Sequence, residues 1–362
     1  MNRRDWMKTL AASGAPPAAA AAPGARLETE IVRLKLRHTW TTTMSSSEYR
    51  DVLYVRYIGE GIAGRGEGAP IVRYKESAGT GKKAVDAIAS LVASADPRHF
   101  AEVMRMVFAR LPGEWAAKAA IDIALLDWVG QKLGTPIYGL FGLDPRKAPV
   151  TTFSIGIDTP ETTRRKVREA AAFPVLKIKV GLDTDEQTIE AVRGVTNKPL
   201  RVDANEGWKD KDVAVRKIRW LEKQGVELIE QPLPAAMLEE MNYVRGKVGI
   251  PVFADEACRH PSDIPKLAPY FDGVNVKVDK CGGLLEAHRM IEIARSLGLK
   301  TMLGCMVSSS VAITAAAHLS PLADYADLDG NLLIANDPFR GVTVEGGKLV
   351  LPARPGLGVV PA

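Results

Sequence analysis

From about Val150 to Asp329 the chain alternates short apolar runs rich in β-branched residues with amphipathic stretches of helical period. The runs are Thr152–Ile157, Val175–Val180, Leu200–Asp203, Leu228–Glu230, Val252–Asp255, Gly273–Lys277, Lys300–Gly304 and Tyr325–Asp329. Their near-continuous apolar character fits strands buried on both faces. Val213 to Gln224 and Leu284 to Leu297 are clear amphipathic helices between them. Eight strands separated by helices predict a closed α/β barrel. The region before it reads differently. Glu30–Leu36 and Asp51–Ile58 alternate with period two and predict strands, with Thr39–Ser47 between them a loop by composition. Gly59–Gly68 reads as a turn-rich stretch. Glu114–Leu133 predicts a helix, with Ile121, Ala124, Leu125, Trp128 and Val129 on one face and Gly134 and Pro136 as its stop. Two domains follow, 27–145 and 150–330.

Side-chain parity turns the strand pattern into chemistry. In Leu176-Lys177-Ile178-Lys179-Val180 the apolar residues take one face and both lysines the other. In Val274-Asn275-Val276-Lys277-Val278 the same rule leaves Asn275 and Lys277 facing inward. Asp203, Glu230 and Asp255 end three successive strands between these two. The steps from Lys179 through the acids to Lys277 are 24, 27, 25 and 22 residues. In a βα barrel such ends converge on one mouth. Three carboxylates there repel one another unless a cation joins them. Hard oxygen ligands select Mg²⁺ or Mn²⁺, although any single strand-end Asp equally suits a helix cap. Asn205 shares the face of Asp203 and suits a metal-bound water, the substrate or a helix entry. Two inward ammoniums at Lys177 and Lys179 are expected to depress each other's pKa and free a base. A metal on a substrate carboxylate stabilises an enediolate, and lysines on opposite sides permit a 1,1-proton transfer.

Composition narrows the partners. The apolar fraction of 46% and charged fraction of 25% are those of a folded globular chain. A net charge of +5 without a basic, aromatic-interleaved stripe argues against nucleic acid. No apolar run is long enough to span a bilayer. Cys258, Cys281 and Cys305 lack disulfide or zinc spacing. Residues 1–26, with Arg3-Arg4, Trp6 and an alanine-rich run, resemble a twin-arginine leader and imply export. The alternative is an Ala/Pro tail on a cytoplasmic protein.

The order LKIKVG, RVDAN, IEQP, ADE and VNVKVDKCGG resembles the muconate-lactonising subgroup of the enolase superfamily, and residues 119–142 resemble its capping-domain helix. The resemblance implies a (β/α)7β TIM-like barrel under an α+β capping domain, with 331–362 returning to the cap. It implies one Mg²⁺ on Asp203, Glu230 and Asp255, Lys179 and Lys277 as the acid/base pair, and Lys177 as the electrostatic helper. Asp327-Leu328-Asp329-Gly330 is similar to the Asp-x-Asp motif with which dipeptide epimerases of this subgroup meet a substrate ammonium. Ser154 on the first strand and Met306, in a segment resembling their seventh-strand loop, join the expected substrate contacts. Ser308 stands where an acid is frequent, and Thr39–Ser47 holds no arginine of the kind that grips a glutamate side chain, although Arg37 and Arg50 flank it. The expectation is a homo-oligomeric isomerase that epimerises small or apolar dipeptides, in a peptidoglycan-peptide setting if exported. N-acylamino-acid racemase, o-succinylbenzoate synthase and muconate-type cycloisomerase activities are the enzymatic alternatives. A non-catalytic peptide-binding protein is the alternative of another class.

Overall fold

The computed structural model describes residues 24–362, so most of the leader segment lies outside the described residues. The chain opens with an antiparallel sheet of β1 (Arg26–Thr41), β2 (Ser46–Gly59) and β3 (Ile62–Gly68), in that order. The stretch expected as a loop is mostly strand: β1 runs to Thr41 and β2 starts at Ser46, joined by a four-residue turn closed by Thr42 N–H to Ser45 O at 3.0 Å. Thr, being β-branched, favours strands, so reading Thr-rich composition as loop misplaced it. The turn-rich reading of Gly59–Gly68 is likewise corrected, because Gly64, Gly66 and Gly68 lie within β3.

Their spacing has a packing cause. They face α3 (Trp115–Leu133), and a Cβ at 64, 66 or 68 would meet Ala124 O, Ala120 O or Ala116 O at 2.1, 1.9 or 2.0 Å. Only glycine lets strand and helix backbones approach this closely. α3 is accordingly buried on all sides from Ala116 to Gly130, not on one face. Gly134 ends it at φ 67°. α1 (Ala78–Ala93) and α2 (Phe100–Arg110) complete this cap. Gly66→Ala is expected to cost more than the roughly 1–3 kcal/mol usual for overpacking, because the contact is backbone that cannot rotate away. Denaturant unfolding measures the loss.

The second unit is an eight-stranded parallel sheet in the order β4 to β11: Phe153–Ile155, Leu176–Lys179, Leu200–Asp203, Val226–Glu230, Val252–Ala254, Gly273–Lys277, Lys300–Gly304 and Tyr325–Asp327. The first and last strands meet through one parallel bridge, Thr151 to Ala326, backed by Leu328 N–H to Thr151 Oγ1 at 2.8 Å. The barrel is therefore nearly closed, with a thin seam between β4 and β11. Leu176, Ile178, Leu200, Val202, Val274 and Val276 face the helices and form the main core. Leu228, Phe253 and Met302, with Tyr325 against them, fill the barrel interior. This alternation leaves lysines, acids and Asn275 inside. The tail after β11 lies against the cap, through Ile334 paired with Leu36 and Leu357 N–H on Asp127 Oδ1 at 2.8 Å. No described helix is long and apolar enough to cross a membrane.

Candidate active site

The C-terminal ends of the barrel strands and the cap enclose a cavity of about 360 Å³. Lys177, Lys179, Asn205, Asp255, Lys277, Met306, Asp327, Asp329 and Ser154 all line it. Asp203 and Glu230 lie just beneath, fully buried. Asp203, Glu230 and Asp255 each bring a carboxylate oxygen within 4.8 Å of the others. β5 and β9 stand four places apart in the eight-stranded ring, so Lys179 and Lys277 oppose each other across the mouth.

The lysines sit on the acids. Lys179 Nζ is 2.6 Å from Asp203 Oδ2, and Lys277 Nζ is 2.8 Å from Asp255 Oδ2. Lys177 Nζ contacts Asp327 Oδ2 at 2.6 Å, Glu230 Oε1 at 2.7 Å and Asp203 Oδ2 at 3.3 Å. This reverses the expected depression of Lys177: burial opposes its charge, but Asp327, Glu230 and Asp203 outweigh it and hold its pKa well above the ordinary value. Lys277 is likewise raised, burial being overcome chiefly by Asp255. Among the acids, burial works against ionisation while Lys179 and Lys177 hold Asp203 down. Glu230 is pushed up, burial first, with Lys177 only partly offsetting it.

The acid set fits a divalent cation. Glu230 Oε1, though 2.7 Å from Lys177 Nζ, lies off the hydrogen-bond axis and keeps no hydrogen-bond partner. Lys177, Lys179, Lys277 and Lys280 face Asp203, Glu230, Asp255, Asp327, Asp329 and the buried Glu256, so acids outnumber ammoniums. Glu256, beside Asp255, is pushed to about 8 by burial and by that neighbour. Such a surplus of buried oxygen donors is what a hard dication neutralises.

Lys280 and Gln231, not singled out from sequence, hold the acids in place together with Asn275 and Asn205. Lys280 Nζ donates to Asp255 Oδ1 and Asp255 O, both at 2.6 Å, and to Asn275 O at 3.0 Å. Gln231, at φ 33°, accepts from Asp255 N–H at 3.0 Å and Ala257 N–H at 3.2 Å through Oε1. Asn275 Nδ2 donates to Glu230 Oε2 at 2.7 Å. Asn205, at φ 42°, gives its N–H to Asp203 Oδ1 at 2.9 Å and its side-chain amide to Glu256 Oε1 at 3.0 Å. Strand parity cannot reach Lys280 or Gln231, because both lie past the strand ends.

On the seam side, β11 stops at Asp327 and Asp329 lies beyond it, so the two acids are not residues of one strand as expected. They still converge. Thr152 Oγ1 donates to Asp327 Oδ1 at 2.5 Å, and Ser154 N–H donates to Asp329 Oδ2 at 2.5 Å. Lys177 keeps Asp327 ionised despite its burial, whereas burial and Asp327 together push Asp329 up to about 7. A pair so placed gains from an added cation. From the cap come Trp40, Met44 and Arg50. Arg37 turns away and donates to Leu332 O.

A family model for the mandelate racemase / muconate lactonizing enzyme N-terminal domain matches residues 26–142, and one described as enolase C-terminal domain-like matches residues 161–362. The chain is 43% identical over 328 residues to an L-Ala-D/L-Glu epimerase of Bacteroides thetaiotaomicron, covering 90% of this chain and 85% of that one. It is 42% identical to an L-Ala-D/L-amino acid epimerase of Pedosphaera parvula, covering 89% and 94%. A crystal structure of a dipeptide epimerase from Enterococcus faecalis complexed with Mg and L-Leu-L-Tyr superposes with a TM-score of 0.87 at 32% identity, covering 92% and 98%. With both of its units matched and relatives this similar along nearly their whole length, the chain belongs to the mandelate racemase / muconate lactonizing enzyme family of the enolase superfamily.

Proposed function

We propose that this protein is a Mg²⁺-dependent dipeptide epimerase that inverts the α-carbon of the C-terminal residue. The observation that carries the reading is the Asp327–Asp329 pair on one wall of a cavity whose floor is three converging carboxylates and whose flanks are two opposed lysines. A dipeptide carries an ammonium for the first feature and a carboxylate for the second. N-acylated amino acids, succinylbenzoate precursors and muconates lack that ammonium. At about 360 Å³ the cavity suits a small ligand.

Asp203, Glu230 and Asp255 are the residues that hold Mg²⁺, or Mn²⁺ in its place. Bound there, the ion supplies Lewis-acid stabilisation of the charge that develops on the substrate carboxylate. Lys179 and Lys277 take and return the α-proton from opposite sides, each through Nζ. Lys177 stays charged among the acids and helps balance them. Lys280, Gln231 and Asn275 keep the acids oriented. Asp327 and Asp329 grip the ammonium, with Thr152 and Ser154 bracing them, and Met306 closes that wall.

The cap side supports a second substrate feature. Arg50 lines the cavity and pairs with no carboxylate among the described residues, since its neighbour Asp51 is tied to Arg33 at 2.8 Å. Burial lowers its pKa, so an anion there gains from a poorly compensated charge. An acidic C-terminal residue is therefore the preferred reading, in place of the small or apolar one expected from the turn sequence. The test is incubation with Mg²⁺ and a dipeptide library in D₂O, following deuterium entry at the C-terminal α-carbon by mass spectrometry. Ala-Glu and Ala-Asp should exchange faster than Ala-Leu, and absence of exchange with every dipeptide sinks the reading. Asp329→Asn should raise KM by about tenfold or more, on the scale of a lost charged hydrogen bond, and leave Mg²⁺ affinity unchanged. Equal losses of both would make Asp329 structural.

A further inference from the structure

Because Gly66 and Gly68 press β3 onto α3, the side chain between them points the other way, toward the barrel. That residue is Glu67, with no solvent exposure. Its Oε1 accepts from Ser309 N–H at 2.8 Å, and its Oε2 accepts from Ser309 Oγ at 2.6 Å and Ala312 N–H at 3.0 Å. Ser309 caps α4 (Ser310–Leu319) and takes a further hydrogen bond from Tyr54 of β2 at 2.8 Å. One cap carboxylate thus fixes the end of the segment that runs from β10 into that helix. Met306 and Val307 of this segment line the cavity. The segment in turn rests on Gly330, where a Cβ would lie 2.4 Å from Met306 O and 3.2 Å from Ser308 N. Gly330 is the residue next to Asp329. No lysine or arginine pairs with Glu67 among the described residues, and burial pushes its carboxyl up to about 7. Its worth lies in the three donors it gathers.

Resting on the dipeptide reading above, we propose that Glu67 is a positioning residue for the ammonium-binding wall: through Ser309 it holds residues 305–309 against Gly330 and so sets where Asp329 stands. Every group that meets Glu67 donates, so a glutamine must turn its NH₂ toward a donor and lose a contact.

Glu67→Gln should therefore raise KM for a dipeptide by about tenfold while kcat stays within about threefold, the pattern of binding lost equally from ground and transition states. Ser309→Ala should move KM in the same direction by less. Asp122→Asn is the control: Asp122 also joins cap to barrel, accepting from Leu284 N–H at 2.5 Å, but remote from this wall. It should leave KM unchanged. Amide hydrogen exchange reads the coupling without turnover, and Glu67→Gln should speed exchange across 305–309 and 329–331 by about tenfold while Asp122→Asn does not. Wild-type deuterium incorporation is measured first, so a failed epimerase reading shows there and leaves the amide-exchange arm to decide on Glu67. Unchanged KM and unchanged amide exchange in both Glu67→Gln and Ser309→Ala overturn the proposal. So does a shift of equal size in Asp122→Asn.

Discussion

Lys277→Ala abolishes epimerisation, with a loss of about 10³-fold or more, yet still exchanges the α-proton of one C-terminal epimer of the substrate. Lys179→Ala does the same for the other epimer. The expectation follows from the opposed placement of β5 and β9 in the ring. A lysine on one side can reach the α-hydrogen of one configuration only. Full inversion needs removal on one side and return on the other, so losing either lysine breaks the cycle but not both half-reactions. Acid–base assistance is worth about 10²–10⁴-fold, which sets the scale. The measurement is solvent deuterium incorporation run separately on each diastereomer. Loss of exchange from both diastereomers in both variants would argue against two-sided transfer, and retained inversion in either would end it.

The second large effect concerns the acids. Chelation of the metal should lower turnover by roughly 10³-fold or more, since Lewis-acid stabilisation supplies several kcal/mol at the developing charge. The carboxylates that would hold a cation, Asp203, Glu230 and Asp255, lie 2.6 to 3.3 Å from the ammoniums of Lys177, Lys179 and Lys277. Binding and ammonium contact are therefore in competition, and Mg²⁺ should raise the thermal midpoint of the wild type while failing to do so for Asp203→Asn. Asp203→Asn removes one ligand charge but keeps an oxygen for the N–H of Asn205, 2.9 Å away in the wild type. Its loss of Mg²⁺ affinity by calorimetry should exceed any loss of stability in chelator. Turnover that survives exhaustive chelation would remove the metal from the mechanism.

The parts of the site that were legible beforehand obey one local rule. Lys177, Lys179, Asp203, Glu230 and Lys277 lie on strands where apolar neighbours fix the outward face, so their inward direction follows from period two. What that rule could not reach lies beyond the strands or comes from remote sequence. Lys280 turns inward on a single helical turn, Val278–Cys281, after β9. Gln231 uses a positive φ angle that no periodicity encodes; Asn205 has one too, but its shared face with Asp203 was already readable. Arg50 arrives from a cap hairpin whose Ser- and Thr-rich turn reads as featureless loop. β3 was hidden for a related reason: glycines two apart look like turns until the helix pressing on them is known. Asp329 was placed correctly in the mouth for a partly wrong reason, since the strand ends before it.

The thin seam between β4 and β11 divides the labour of the barrel. Strands β5 to β9 pair with one another through at least two residue pairs at every junction, with one register shift between β6 and β7, and carry Lys177, Lys179, Lys277, Asp203 and Glu230, with Asp255 directly after β8. Thr152, Ser154, Asp327 and Asp329 straddle the one junction held by a single bridge. A mutation at Asp329 or Ser154 that reshapes amine recognition there strains little of the sheet that aligns the reactive groups, whereas Asp327 is tied to them through Lys177 at 2.6 Å. Substrate choice in this scaffold can therefore drift while the proton-transfer apparatus stays in register, which makes the seam the natural place to redirect the enzyme toward new amides.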